Sequence, residues 1–551
     1  MNPVWSQNYD PLGNVYLSTV AAAIPAACLF YLLAIRRTAA WKAAIYAFVV
    51  AIVVAIAVFG MPARMVAGAV AHGLVYGLFR IAWVVVAAVF VYEVTVESGQ
   101  FEVLKQSISA ITGDLRLQVL LIAFAFGALL EGAGGGGAPV AVTAAMMIGV
   151  GFPPFQTAVL CLIANSAPVA FGGLGNPIRT LTAVTGLPEP DFSAMVGRIL
   201  PLTTLVLPFW LVRMVASTKD TLAVWPGLLV CGVSFGAFQF FWSNFMDASL
   251  VDIIGGIGTL LILAVFFGKV WKPSTVWEFP DWKPPAKPVG QAPLTMGRVF
   301  LAWSPFLLLS VFVVIWGLPF VGKVLDSYSV KFPVPGLHLQ VFRQVPAVPK
   351  PYAEPAIFDF AWLSTVGTGT FLAGMLAGPL LGLSLAQTLR VFLNVLVRLR
   401  FSVAAILAML SLGYLTRYSG MDATLGLALA HTGVMFPLFG TLIGWLGVAL
   451  SGTDAGSNAL FGSLQVITAN KLGLSPILMG AANSAGGVMG KMMAAQSLVI
   501  ACAATGQEGK EGLLLRAVAI HSVILALLVG VIVLLYAYAF PGAIPSGHHY
   551  W

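Results

Sequence analysis

Apolar stretches long enough to span a bilayer, about 20 residues each, follow one another from near residue 15 to near residue 540. In hydrocarbon every backbone polar group must find a partner within the protein, so such stretches must be helices or lie buried among them. The chain of 551 residues is 59% hydrophobic and 9% charged, against roughly 25% charged in a soluble domain. These properties exclude an ordinary soluble globule and predict an all-α polytopic membrane protein. About twelve crossings are expected, at 15–35, 43–60, 66–95, 156–178, 197–215, 226–243, 251–268, 298–320, 360–382, 401–416, 475–505 and 513–540. The first follows a polar segment without a basic n-region and reads as a retained span, not a cleaved signal.

The net charge of +8 does not point to nucleic acid, because Lys and Arg collect on the inner loops of membrane proteins. With the N-terminus outside, the inner segments take Arg36, Arg37, Lys42, Lys105, Arg116, Arg213, Lys269, Arg298, Arg398, Lys510 and others, and both termini lie outside. Cys28, Cys161, Cys231 and Cys502 are far apart within apolar segments and read as small core residues. The six histidines are scattered, so no metal site and no cofactor are expected.

Two polar, glycine-rich breaks interrupt the apolar pattern: Glu131-Gly-Ala-Gly-Gly-Gly-Gly-Ala-Pro139 and Ser451-Gly-Thr-Asp-Ala-Gly-Ser-Asn458. Each is followed at similar distance by the tetrapeptide Ala-Asn-Ser-Ala, at 164–167 and 482–485. Ser98-Gly99 and Ser419-Gly420 keep nearly the same spacing. The breaks divide 117–150 and 434–470 into two arms each, the form of a re-entrant hairpin. Seven crossings separate the Ser-Gly markers, so one copy is inverted relative to the other. Matched interruptions in an inverted-topology repeat are a pointer to a transporter's substrate site. The expected division is 1–74 as N-terminal scaffold, 75–190 as repeat 1, 191–395 as linking helices, 396–510 as repeat 2 and 511–551 as C-terminal helix and tail. Loops at 270–297 and 321–358 are expected to be linkers.

Bare amides at Gly134, Gly135 and Gly136, with Pro139 opening the second arm, suit an anion at a helix N-terminus. The alternative is a tight turn with close helix packing. The second tip carries Thr453, Asp454, Ser457 and Asn458; capping alone would explain Ser457, less well the whole cluster. Asn165, Ser166, Asn483 and Ser484 can all donate and accept hydrogen bonds, and each pair is expected where a broken helix begins its second half. Glu131 and Asp454 are intramembrane carboxylates able to carry a proton, since burial favours the neutral acid. Lys491 offers a cation for a substrate carboxylate, with snorkelling as the alternative. Arg179 is a further cationic candidate, and Arg80 lies mid-span with Glu93 or Glu131 as conjectural partners.

Tyr76-Gly77-Leu78 with Ile81-Ala82-Trp83, Ser98-Gly99-Gln100-Phe101, Leu130-Glu131-Gly132-Ala133, Gly137-Ala138-Pro139-Val140, Ser457-Asn458-Ala459-Leu460-Phe461, Gly490-Lys491-Met492 and Ile500-Ala501-Cys502-Ala503 resemble the bacterial lactate permease family. The resemblance covers nearly the whole chain. It implies a symporter of the bacterial cytoplasmic (inner) membrane that imports L-lactate, D-lactate or glycolate with protons, a transport domain moving against a scaffold, and no enzymatic activity. Sodium coupling is the nearer alternative. Gly136, the Thr453–Gly456 run, Ala494-Ala495 and Arg80 depart from the family pattern, which bears on substrate preference more than on mechanism. The oligomeric state is not legible.

Overall fold

The computed structural model describes residues 5–36, 38–134, 138–279, 294–348 and 350–545. Among them, 11 helices are long and apolar enough to cross a bilayer, or 13 if two bent pairs each count as one span. Gly135, Gly136 and Gly137, at the first expected hairpin tip, lie outside the described residues.

The same succession of elements occurs twice. A 35-residue helix, Ala63–Glu97 or Leu385–Ser419, ends at a glycine in the left-handed region, Gly99 (φ 73) or Gly420 (φ 87). That conformation is open to glycine without the Cβ clash other residues suffer, so the chain turns sharply into Gln100–Ser109 or Met421–Leu429. A hairpin follows, Leu115–Gly134 with Ala138–Val150, or Phe436–Ser451 with Asp454–Leu472. Next comes a bent pair, Pro154–Ala164 with Val169–Thr185 (59°), or Pro476–Met493 with Ala495–Thr505 (42°). A long helix closes each series, Glu189–Val215 and Glu511–Tyr538.

The two series interlock. Gly172–Thr185, in the first bent pair, packs on the second arm of the second hairpin, and Ala495–Thr505 packs on the second arm of the first. The opening halves, Pro154–Ala164 and Pro476–Gly490, each pack on the closing helix of the other series. Around this centre lie Val15–Phe30, Ala40–Ala57, Trp225–Phe245, Met296–Gly317 and the 15-residue Val366–Leu380.

Three expectations change. The span expected at 401–416 is part of the 35-residue helix Leu385–Ser419, which starts at a Ser384–Gln387 capping box. Its first turns are amphipathic, burying Thr388, Val391 and Val395 while Arg390, Arg398 and Arg400 face outward, and this hid them from an apolar count. The span expected at 360–382 shortens to Val366–Leu380, because Ile357–Phe360 is a strand paired antiparallel with Val330–Pro333. The second Ala-Asn-Ser-Ala is also not at a break. Asn165 ends its helix, Pro168 following closely, but Asn483 and Ser484 sit within the continuous helix Pro476–Gly490, which breaks only at Lys491–Ala494. No proline follows that pair, and its glycines serve close packing instead: a Cβ at Gly486 would strike the Thr441 carbonyl.

Candidate functional site

Asp454 opens the second arm of the second hairpin, behind Thr453, whose hydroxyl accepts from the Gly456 amide at 3.0 Å. Gly452, in the left-handed region, makes the turn. Asp454 is buried, and one oxygen, Oδ2, accepts from the Ser484 hydroxyl and, at 3.5 Å, from the Asn458 amide. The other, Oδ1, has no hydrogen-bond partner among the described residues. Behind it the amides run in one direction. Gln465 donates to Asn483 Oδ1 at 3.1 Å, Asn483 to Asn458 Oδ1 at 2.9 Å, and Asn458 to the Pro177 carbonyl at 3.1 Å. That last bond ties the second hairpin to the first bent pair, where Gly173, Leu174 and Gly175 take left-handed φ. Ser457 donates to the Gly444 carbonyl at 3.1 Å.

At the first hairpin, Glu131 Oε2 accepts from the Asn165 amide at 2.9 Å, and Asn165 Oδ1 has no hydrogen-bond partner among the described residues. Gly172 leaves room for this carboxylate, since a Cβ there would lie 2.8 Å from Oε1. Ser166 donates back to the Ile163 carbonyl at 2.6 Å, a local bond that does not join the cluster. Lys491 joins the two sides. Its ammonium is buried, donates to the Gly452 carbonyl at 2.8 Å, and interacts electrostatically with both Glu131 and Asp454. A buried cation is costly without compensating charge, and carboxylates from both hairpins supply it.

A family model described as L-lactate permease matches residues 18–540. The chain belongs to this family. The glycolate permease GlcA of Escherichia coli (strain K12) is 44% identical to it over 558 residues, covering 98% of this chain and 100% of that protein. An L-lactate permease of Salmonella typhimurium is 41% identical over 550 residues and one of Bacillus subtilis 39% over 564, each alignment covering 98% of this chain and 100% of the relative. The chain is therefore a multi-pass transporter of the bacterial inner membrane and not an enzyme.

In this lactate permease family member, the structure gathers Asp454, Ser457, Asn458, Asn483, Ser484 and Lys491 on one side, with Glu131 and Asn165 on the other. Gly134 ends the first arm, and Thr453 is exposed as a cap. Arg179 belongs elsewhere, paired with Glu189 at 3.4 Å and Asp247 at 3.6 Å. Arg80 pairs with neither Glu93 nor Glu131 but with Asp359 at 3.2 Å, while Glu93 takes Arg398 at 2.7 Å. Two residues went unread in the sequence. Gln465 looked like any polar residue on a helix. Asp252, in the first turn of Val251–Val265, is fully buried beside Gly132, interacts electrostatically with Glu131 and has neither oxygen hydrogen-bonded among the described residues. A lone acid in a first helical turn is common enough that only its flanking apolar residues, Val251 and Ile253, signalled burial.

Proposed function

We propose that this transporter imports L-lactate, and also D-lactate and glycolate, by proton symport, with Glu131 and Asp454 as the coupling carboxylates. The observation that carries the reading is the buried ammonium of Lys491, seated on the Gly452 carbonyl and interacting electrostatically with two buried carboxylates from different hairpins. With both acids ionised this trio carries net charge −1, which repels an incoming carboxylate. One proton makes it neutral and a second leaves Lys491 free to pair with the substrate, so protons enter with the anion. The unpartnered acceptors Asp454 Oδ1 and Asn165 Oδ1 suit the 2-hydroxyl, because a buried acceptor without a donor costs about 1–3 kcal/mol. From the sequence, Gly134, Gly135 and Gly136 supply bare amides for the carboxylate, and Ser457, Asn458, Asn483 and Ser484 complete the polar lining. The names of the relatives support lactate and glycolate as substrates.

The doubled element order and the reciprocal packing of the bent pairs support an inverted repeat of 75–190 and 396–510. Movement of the hairpin-bearing part against the outer helices would expose the site alternately. The test is uptake of labelled L-lactate by proteoliposomes under an imposed pH gradient, with D-lactate and glycolate as competitors. Uphill accumulation that survives replacement of Na⁺ by choline supports the reading. Accumulation that needs Na⁺, or flux that never exceeds equilibrium, contradicts it.

A further inference from the structure

Two cavities of about 310 Å³ each share Tyr76 and Arg80 in their walls and include none of the hairpin-tip residues. One reaches His72, Tyr414 and Arg417; the other reaches Arg179 and Glu189. Two of the three arginines are committed. Arg417 bonds Glu354 and the carbonyls of Ala183 and Val184, and Arg179 bonds Ser249 and the Leu174 carbonyl besides its two acids. Arg80 has one ionic partner among the described residues, Asp359 Oδ2 at 3.2 Å, and the other oxygen of that carboxylate has no hydrogen-bond partner. Both side chains are partly open to the cavity, at 27% and 35% exposure. In the wall of the first cavity, His72 is only 6% exposed and its Nδ1 is buried without a hydrogen-bond partner among the described residues.

We propose that Arg80 is a docking group for a small monocarboxylate, forming a second anion site separate from the hairpin tips, with Asp359 holding the guanidinium while the ligand is away. A guanidinium presents a planar fork that matches a carboxylate through two parallel bonds. A carboxylate arriving at Arg80 replaces the Asp359 contact with a chemically equivalent one. The Tyr76 and Tyr414 rings supply apolar wall for a short carbon chain, and His72 Nδ1 supplies a polar group in need of a partner. The second cavity borders Ala248, against which the left-handed turn at Gly175 packs, so the site adjoins the segment that carries Pro177 and, through it, Asn458. The choice of ligand rests on the proposed function; the arginine chemistry does not.

The test compares Arg80→Gln and Asp359→Asn in the full chain, by L-lactate uptake in proteoliposomes. Arg80→Gln should raise KM about tenfold with kcat little changed, the signature of lost binding common to ground and transition states. Asp359→Asn should lower KM, because it removes the competitor for Arg80. An ion pair that only braced the fold would make both variants lose activity and thermal stability together, and that result, or an unchanged KM in Arg80→Gln, overturns the proposal. If Arg80→Gln does not fold, the direction of the Asp359→Asn shift decides. A wild type without lactate uptake would contradict the proposed function instead. The docking site is then judged by calorimetric titration of Lys491→Gln with sodium L-lactate and with acetate: heat that disappears when Arg80→Gln is added supports it, and heat that is absent or unchanged overturns it.

Discussion

The ammonium of Lys491 donates to the carbonyl of Gly452 at 2.8 Å, so the cation at the break of the second bent pair is seated in the turn of the second hairpin. Hairpin and bent pair are thus joined at the point where each loses regular helix. Any movement that opens this turn also moves the charge. Replacing Lys491 by Gln should abolish measurable uptake or raise KM at least about tenfold, while Arg at this position should not restore it, because the longer planar fork is no isostere of a point charge. Uptake kinetics of the three proteins check this.

Asp252 lies beside Gly132, the residue after Glu131, and interacts electrostatically with Glu131. Asp252→Asn keeps the shape and removes the acid, and the account expects gradient-driven accumulation to fall while thermal stability holds or rises. Stability should not suffer because neither Asp252 oxygen has a hydrogen-bond partner among the described residues to lose. A melting curve alongside an accumulation assay separates the two effects.

Much of this arrangement was legible in the chain. Glycine and proline punctuate the hairpins at 131–139 and 451–458, and apolar runs give the arms, so both could be placed from composition and spacing. The acids and amides of the tips were visible because polar residues are scarce in such sequence. The break of the second bent pair was misplaced, since glycines that admit a neighbouring helix look the same as glycines that end one. Arg80 and Asp359 meet only because Ile357–Phe360 pairs as a strand with Val330–Pro333, and no local pattern encodes that pairing. Asp252 was hidden for a different reason: an acid in a first turn has an ordinary explanation.

Gly444 distinguishes packing glycines from idle ones. Gly444→Ala should destabilise the protein by about 1–3 kcal/mol, since the new methyl meets the Asn483 carbonyl. Gly149→Ala, with nothing within 4 Å of its Cβ, should be neutral or stabilising by about 0.5–1 kcal/mol through helix propensity. Thermal melts of the two variants in one detergent give the comparison.

Glu354, in the segment before Val366–Leu380, predicts a pH response. Burial alone would raise its carboxyl, but Arg417 and Arg343 outweigh that and hold it below the usual range. A folded value below the unfolded one stabilises the protein above the unfolded value, and this contribution is lost as pH falls through the folded value. Glu354→Gln should therefore melt lower than wild type at pH 7, and the gap should close below about pH 4. A difference in Tm that stays constant from pH 7 to pH 3 would count against the Arg417–Glu354 contact at 2.6 Å.

The most direct measurement of the coupling assignment is L-lactate accumulation in proteoliposomes with an imposed pH gradient, for wild type, Asp454→Asn and Glu131→Gln, beside lactate counterflow without a gradient. The account predicts that wild type accumulates lactate and that at least one of the two variants retains counterflow but loses gradient-driven accumulation. If both variants accumulate lactate as the wild type does, these carboxylates do not carry the coupling proton.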